Sequence, residues 1–224
     1  MKIDILTVFP EMFKGPFSES ILKRAQEKEI IKIKIHNLRD WATDKRRSVD
    51  DSPYGGGPGM IMRVDIIDRA IQSLTTHNSQ LTTKIILLDA AGKVYTQQKA
   101  QKLSKVEHLI LIAGHYEGID HRVHEHVVDE VISIGKYVLT GGEIPVMVIV
   151  DSIVRLLPGV LGNPESLIEE SFSQSPNTKY EILNTKIESP QYTRPSIYKG
   201  WKVPKVLVSG NHAEIIEWRT AHSQ

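Results

Sequence analysis

The chain of 224 residues contains no cysteine. Disulfides and cysteine-ligated metal centres are therefore excluded, and the composition fits a cytoplasmic enzyme. No apolar run approaches the roughly eighteen residues of a membrane span, so none is expected. The N-terminus opens directly on the strand-like segment Lys2–Phe9, without a basic stretch leading into a longer apolar one, and no signal peptide is expected. Charge of one sign is also lacking: the formal net charge is only +1. Bulk charge thus gives no support to a nucleic-acid partner, and any RNA site must come from local patches. Neither GxGxxG after a first strand nor the GK[ST] of a phosphate loop occurs, so the two commonest nucleotide motifs are absent. What remains is an ordinary globular composition, with 40% hydrophobic and 25% charged residues. The length suits one large domain, or a large one with a small companion.

Strand and helix patterns alternate through the first two thirds. Ile3–Phe9, Ile31–Ile35, Lys84–Asp89, Leu109–Ala113 and Glu130–Ile134 read as strands. Ile21–Lys28, Val64–Leu74, Gln97–Leu103 and Ile144–Leu157 read as helices, the last with Pro145 in its first turn and Pro158 to stop it. Such alternation predicts a parallel α/β sheet. From Gly162 the chain turns polar, rich in Ser, Asn, Glu, Gln, Thr and Pro, and reads as a mobile linker over 162–195. A small terminal piece follows over 196–224. In it Val203–Val208 is strand-like or extended, and Asn211 is a candidate N-cap for a helix from His212 to about His222.

Two loops carry the strongest signal. Gly114-His115-Tyr116-Glu117-Gly118-Ile119-Asp120 follows the apolar run Leu109–Ala113. Ile134-Gly-Lys-Tyr-Val-Leu-Thr-Gly-Gly-Glu-Ile-Pro145 follows the run Val127–Ile134. Glycine at a strand end lets main-chain donors and acceptors approach a ligand closely. Two such loops side by side describe a pocket walled by backbone, which suits an adenine and a ribose. Tight turns between strands account for the same glycines equally simply.

With further blocks, these loops make the chain similar to the bacterial tRNA (guanine-N1)-methyltransferases of the SPOUT superfamily. The blocks are Phe9-Pro-Glu-Met-Phe13, Val49-Asp-Asp-Ser-Pro-Tyr-Gly-Gly-Gly-Pro-Gly-Met60, Asp151-Ser152, Pro158-Gly-Val-Leu-Gly162, Tyr192-Thr-Arg-Pro195 and Ser209-Gly-Asn-His-Ala-Glu214. Each is weak alone; together, in order from end to end, they are specific. The resemblance implies methylation of N1 of the guanine at tRNA position 37, just 3′ of the anticodon, from S-adenosylmethionine. It implies a SPOUT-type parallel sheet with a deep trefoil knot over about Leu87–Ile144, as a knotted cofactor-binding domain at 1–161. It also implies a homodimer with shared active sites and a small helical tRNA-binding domain at the C-terminus.

The resemblance further assigns residues. Leu87, Leu88, Gly114, Tyr116, Glu117, Ile134, Gly135, Tyr137, Val138, Leu139, Gly141, Gly142 and Pro145 would surround S-adenosylmethionine, mostly through backbone and apolar contacts. The general base, an Asp in the family, falls on Glu170 within Glu169-Glu170-Ser171-Phe172. Arg155 would stabilise charge developing on guanine O6; its alternative reading is an i, i+4 pair with Asp151. RNA contacts fall to Arg46 and Arg47 of the basic triplet, to Tyr54, Gly55 and Gly59 of the glycine-rich segment, and to Tyr192, Arg194 and His212. Lys199, Lys202 and Lys205 are further candidates. A Mg²⁺ requirement is known in the family, but no carboxylate cluster announces a site. His121 and His124 have helical i, i+3 spacing without an evident third ligand, so no metal centre is assigned.

Four departures stand out. Glu170 replaces Asp, His115 stands where many relatives carry Arg, and the linker Phe172–Gln191 is longer, with Pro-Gln191-Tyr where Pro-His-Tyr is usual. The C-terminal domain reads as shortened at Gln224. The alternative to an active transferase is a weak or inactive relative that binds cofactor and RNA. A SPOUT enzyme for another base fits the Tyr54–Gly59 and Tyr-Thr-Arg-Pro blocks less well.

Overall fold

A computed structural model describes residues 1–76, 81–167, 170–172 and 187–223. The chain divides into two compact units, Met1–Gly162 and Asn163–Gln224.

The first unit is an α/β layer structure. Its sheet contains β1 (Lys2–Thr7), β2 (Lys32–Asn37), β5 (Thr83–Val94), β6 (His108–Ala113) and β7 (Glu130–Ser133), in the order β2-β1-β6-β5-β7. All its strand pairs are parallel. A short antiparallel pair, β3 (Asp50–Asp51) and β4 (Ile61–Met62), stands outside it. The helices are α1 (Lys14–Phe17), α2 (Ser20–Glu27), α3 (Val64–Thr76), α4 (Gln97–Leu103), α5 (His121–His126) and α6 (Glu143–Val154).

Strand alternation sorts the core into two layers, because successive side chains leave opposite faces. Ile3, Ile5, Leu109, Leu111 and Leu88 pack with Leu22, Leu103, Ile149 and Ile153 on the α2/α4/α6 face. Leu6, Ile110, Ile112 and Leu87 pack with Ile66, Ile67, Ala70 and Val123 on the α3/α5 face. Both faces being covered, β6 is buried along its whole length, and its sequence His-Leu-Ile-Leu-Ile-Ala is almost continuously apolar.

The element boundaries differ from expectation where local chemistry is ambiguous. β1 ends at Thr7, whose hydroxyl caps the Phe9 N–H at 2.9 Å. β5 runs on to Val94, past the expected end at Asp89; its register on β7 shifts between Leu88 and Lys93, which both face Ile132. β7 is shorter than the run Val127–Ile134, because Val127 closes α5 and Asp129 binds the Ile85 N–H at 2.7 Å. The six-residue α5 escapes the periodicity reading, since only Val123 in it is buried; Asp120 caps it from the Arg122 N–H. α6 stops at Val154, so Arg155 is its C-cap and Pro158 lies beyond a further turn.

In the second unit, β8 (Ile197–Tyr198) and β9 (Trp201–Lys202) form a hairpin. Lys205–Val208 is a 3-10 turn, not the expected extended segment: Pro204 precedes it and accepts the Leu207 N–H at 3.0 Å. α7 (His212–His222) begins at the expected cap, Asn211 accepting the Glu214 N–H. The residues 168–169 and 173–186 of the expected linker lie outside the described residues, Glu169 among them.

One polar group is buried at the centre of the sheet. Asp4 on β1 is wholly inaccessible, as is His108. Asp4 accepts from His36 Nε2 at 2.7 Å, from His108 Nε2 at 2.7 Å and from Lys2 Nζ at 2.8 Å. His108 Nδ1 meets Thr83 Oγ1 at 3.0 Å. Burial by itself would raise the Asp4 pKa; the bonds from His36, Lys2 and His108 outweigh it and hold the carboxyl well below the usual carboxylate range. Burial lowers the pKa of His108, against the pull of Asp4. Asp4→Asn removes the charge that three donors share and should cost about 3–5 kcal/mol in a urea titration followed by circular dichroism. Because Asp4 is depressed in the fold, its contribution is complete above about pH 4 and is lost as pH falls toward the folded value. His108 acts in the same direction from about pH 6.5 downward, since the unfolded chain takes up a proton that the folded one refuses. Stability should therefore fall with acidification, with a shallower limb below about pH 4 in Asp4→Asn.

Candidate functional site

The middle of β5 and the carboxyl ends of β6 and β7 open into one cleft of about 210 Å³, lined by Leu88–Ala90, Gly114–Gly118, Ile132–Gly135, Tyr137–Gly142 and Pro145. Open parallel sheets place ligand sites at this end of their strands. Twelve of the thirteen residues assigned above to a cofactor line the cleft. Leu87 does not: alternation along β5 turns its side chain into the α3-face core, fully buried.

Backbone shapes the walls. The Gly142 N–H donates to the Gly114 carbonyl at 2.7 Å, joining the two glycine loops directly. A Cβ on Gly142 would lie 2.6 Å from Gly114 N and 2.8 Å from Ala113 Cα, so only glycine allows this approach. Ser133 Oγ donates to the Gly135 carbonyl at 2.9 Å and closes the turn leaving β7. Tyr116 takes φ +60° and stands at the rim, with Tyr137, Val138 and Leu139 exposed beside it.

Of the polar residues Glu143, His115, Asp89, Ser133 and Thr140 at the site, only His115 was singled out from sequence. Glu143, first in α6, is 1% exposed and accepts from Thr7 Oγ1 at 2.8 Å. His115 Nδ1 lies 3.5 Å from its other oxygen, and the His115 ring meets Phe9 edge-on at 4.6 Å. Asp89, Ser133 and Thr140 also line the cleft. The one sequence signal for Glu143 was an acid in the first turn of a helix after Gly-Gly, which reads as ordinary dipole compensation. His121 and His124 stack at 5.0 Å, and His124 Nε2 lies 3.3 Å from Asp89 Oδ2. Among the described residues no group of three or more His, Asp and Glu is arranged to hold a metal ion.

The glycine-rich segment lies beside the cleft. The Glu117 N–H donates to Met60 O at 3.0 Å, Met62 N–H to Gly118 O at 2.9 Å, and Asp120 N–H to Met62 O at 3.0 Å. These bonds tie the end of the segment holding Tyr54, Gly55 and Gly59 to the first glycine loop, and leave Tyr54 wholly exposed. The basic triplet reaches the same loop through Arg39, a residue the sequence reading passed over. Its guanidinium donates to Arg47 O at 3.2 Å and to Tyr116 Oη at 3.3 Å. Arg47 pairs with Asp40 at 3.4 Å, and the Arg46 N–H donates to Asp44. A hydrogen bond from the Ser48 hydroxyl is the main reason the Asp44 carboxyl sits below its ordinary pKa.

The two catalytic candidates belong to different units. Arg155 is the C-cap of α6, half-buried, its N–H on Asp151 O at 3.3 Å. Glu170 is half-buried and directly precedes a reciprocal pair. The Ser171 N–H donates to Glu188 Oε1 at 3.2 Å, and Ser171 Oγ accepts the Glu188 N–H at 3.1 Å. Glu188 thus anchors the segment that carries Glu170. Tyr192 and Arg194 line a second cleft, of about 440 Å³, and His212 opens α7.

The loop contact supplies a test independent of any ligand. Gly142→Ala drives a methyl into the Ala113–Gly114 backbone and should lower stability by about 1–3 kcal/mol by urea unfolding. Gly162→Ala, where an added Cβ meets nothing within 4 Å, should change it by less than about 0.5 kcal/mol.

Comparison with known proteins bears on the whole chain. A family model described as tRNA (Guanine-1)-methyltransferase TrmD matches residues 1–224. A tRNA (guanine-N(1)-)-methyltransferase of Dictyoglomus turgidum is 54% identical over 219 residues, covering 98% of this chain and 83% of the relative. One of Bacillus cereus strain AH820 is 52% identical over 223 residues, covering 100% of this chain and 87% of the relative, and one of Bacillus anthracis strain CDC 684 matches equally. With the glycine-loop cleft at the end of its parallel sheet, the chain belongs to the tRNA (guanine-1)-methyltransferase TrmD family.

Proposed function

We propose that this protein methylates N1 of guanine at position 37 of tRNA, using S-adenosylmethionine. The observation that carries the reading is the main-chain cleft at the strand ends, in a chain matched from end to end by this family. The cleft fits the group. Its lining includes Gly114, Gly135 and Gly141, which present only main chain, and apolar Leu88, Ile134, Tyr137, Val138 and Pro145. That is the lining an adenine and a ribose require, with few charged side chains. Bound S-adenosylmethionine supplies an electrophilic methyl group on a sulfonium.

The chain's own residues handle the proton and the charge. Guanine N1 carries a proton, and its lone pair is delocalised into the ring amide. Glu170 accepts that proton, and the electron pair left on N1 forms the new bond to the methyl carbon while the carbon–sulfur bond would break, its electron pair staying on sulfur in a neutral thioether leaving group. Negative charge spreads toward O6 during the transfer, and the Arg155 guanidinium stabilises it. Glu170 releases its proton to solvent afterwards. A glutamate serves here in place of aspartate because the reference pKa values differ little, about 4.3 against 3.9. Its extra methylene changes the reach, and the Ser171–Glu188 pair holds the backbone from which it extends.

A homodimer with active sites shared between copies belongs to the same reading. Ile144 and Val148, one turn apart on α6, are exposed, as are Phe9, Met12, Val138 and Leu139. These exposed apolar side chains are what a second copy would cover in that reading. The trefoil knot expected over about Leu87–Ile144 belongs to the same reading. The tRNA-facing surface is assigned to Arg46, Arg47, Tyr54, Gly55 and Gly59 of the first unit, and to Tyr192, Arg194 and His212 of the second. No described helix is long and apolar enough to cross a membrane, and a cytoplasmic location fits a tRNA substrate.

Labelled S-adenosylmethionine with two tRNA transcripts, guanine or adenine at position 37, tests the reading. Methyl should pass to the guanine transcript alone. Glu170→Gln should lower kcat by on the order of 10²- to 10⁴-fold, and Arg155→Ala by at least about tenfold. Transfer that survives Glu170→Gln would move the base elsewhere. No transfer by the wild type, with cofactor binding intact in calorimetry, would identify a non-catalytic relative.

A further inference from the structure

The β8–β9 hairpin of the second unit has no part in the chemistry above, and its composition is unusual. Tyr198 and Trp201 face each other across the two strands, ring centroids 5.8 Å apart at 62°. Both stand in solvent: Trp201 is 71% exposed and Tyr198 54%. An aromatic side chain carries some 150–250 Å² of surface whose burial would stabilise a fold, and this pair gives most of that up. A two-stranded hairpin is marginal by itself, so two exposed rings at its tip do little for stability.

The turn between them is tight. Lys199 (φ +50°) and Gly200 (φ +85°) are both left-handed, the signature of a two-residue turn that leaves the flanking side chains directly opposed. Lys199 holds Nζ 5.5 Å from the Tyr198 ring centre. Lys202 pairs with Ile197 at the next rung. The surrounding charge is one-sided. From Gln191 to Asn211 the chain carries Arg194, Lys199, Lys202 and Lys205 and no Asp or Glu, in a protein whose total formal charge is +1. At the base of the hairpin, Ser196 and Val203 form one wall of the 440 Å³ cleft, where Arg194 and Arg219 also lie. Exposed rings interleaved with cations suit nucleic acid whose bases are unpaired: the ring takes the base face and the cations take the phosphates on either side.

We propose that the β8–β9 hairpin is a nucleobase-stacking site, at which an unpaired RNA base seats against Trp201 and Tyr198 while Lys199 and Lys202 hold the neighbouring phosphates. This deepens the tRNA reading above and rests on it for the identity of the RNA. It commits to single-stranded RNA within the substrate. A duplex offers phosphates but keeps its base faces stacked away from the rings.

The test uses the full chain and reads binding apart from turnover. Anisotropy and tryptophan quenching are followed with an unstructured oligoadenylate of about eight nucleotides, with a blunt RNA duplex of the same length, and with the guanine-37 transcript. The oligoadenylate should bind better than the duplex and quench Trp201. Trp201→Ala should weaken oligoadenylate binding about tenfold and remove most of the quenching, with circular dichroism unchanged. Trp201→Phe should retain most of the affinity. Lys199→Gln and Lys202→Gln should each reduce the salt slope by about one. For the transcript, Trp201→Ala should raise KM with kcat and S-adenosylmethionine affinity unaltered. Unchanged RNA binding by Trp201→Ala, or preference for the duplex, overturns the proposal. So does a Trp201→Ala effect confined to self-association in sedimentation, which would make the occupant a protein surface. The two readings fail separately. Trp201-dependent RNA binding without methyl transfer keeps the hairpin site and removes the transferase. Methyl transfer indifferent to Trp201 does the reverse.

Discussion

The contact on which the candidate site depends is a single backbone hydrogen bond, from the Gly142 N–H to the Gly114 carbonyl at 2.7 Å. It joins the loop after β6 to the loop before α6, and it is possible only because position 142 has no Cβ. With the loops in contact, the chain around Gly135–Leu139 must bulge outward. The cleft is the space between that bulge and the carboxyl ends of the strands. A site made this way is lined by main chain, whose donors and acceptors cannot rotate away. It needs few polar side chains to recognise a polar ligand.

The sheet beneath supplies the rigidity. Both faces are covered, so β5 and β6 cannot slip by one residue without carrying a whole row of aliphatic side chains from one core into the other. The Asp4 cluster adds a polar constraint within that apolar frame. One carboxylate collects donors from β1, β2 and β6 together. Any sliding of these strands would leave a buried charge without its donors, which costs far more than a lost aliphatic contact. Glu143 does the same at the site itself: it is buried where α6 meets β1 and is held by Thr7. Two buried carboxylates thus brace the sheet, one in mid-strand and one at the cleft.

Much was legible in the sequence where one signal dominated. The alternation of patterns predicts the parallel sheet, Gln97–Leu103 and the Asn211-capped α7 fall where expected, and the two glycine loops meet in one cleft. The failures share a cause, which is that a short or polar segment takes its structure from neighbours distant in sequence. α5 has one buried residue and no period to detect. The strand expected to end at Asp89 continues to Val94, because Lys93 and Val94 find a pairing edge on β7. Val203–Val208 has the composition of a strand but no such edge, and Pro204 starts a 3-10 turn instead. Leu87 and Leu88 are equivalent as a dipeptide; only the pleat decides that Leu88 reaches the cleft and Leu87 the opposite core.

By itself, then, the sequence determined the fold class, the strand-end location of the site and the glycine positions around it. These follow from local rules: the side-chain period, the preference of caps and turns, and the freedom of a residue without Cβ. Tertiary structure decided which carboxylates are buried and which cations are paired. Asp4 and Glu143 look like surface acids in a string of letters, and Arg39 like a surface base. Their roles arise only when residues 136 apart, as Thr7 and Glu143 are, come within 2.8 Å. Charge and burial depend on distance through space, and no period in the chain encodes that distance.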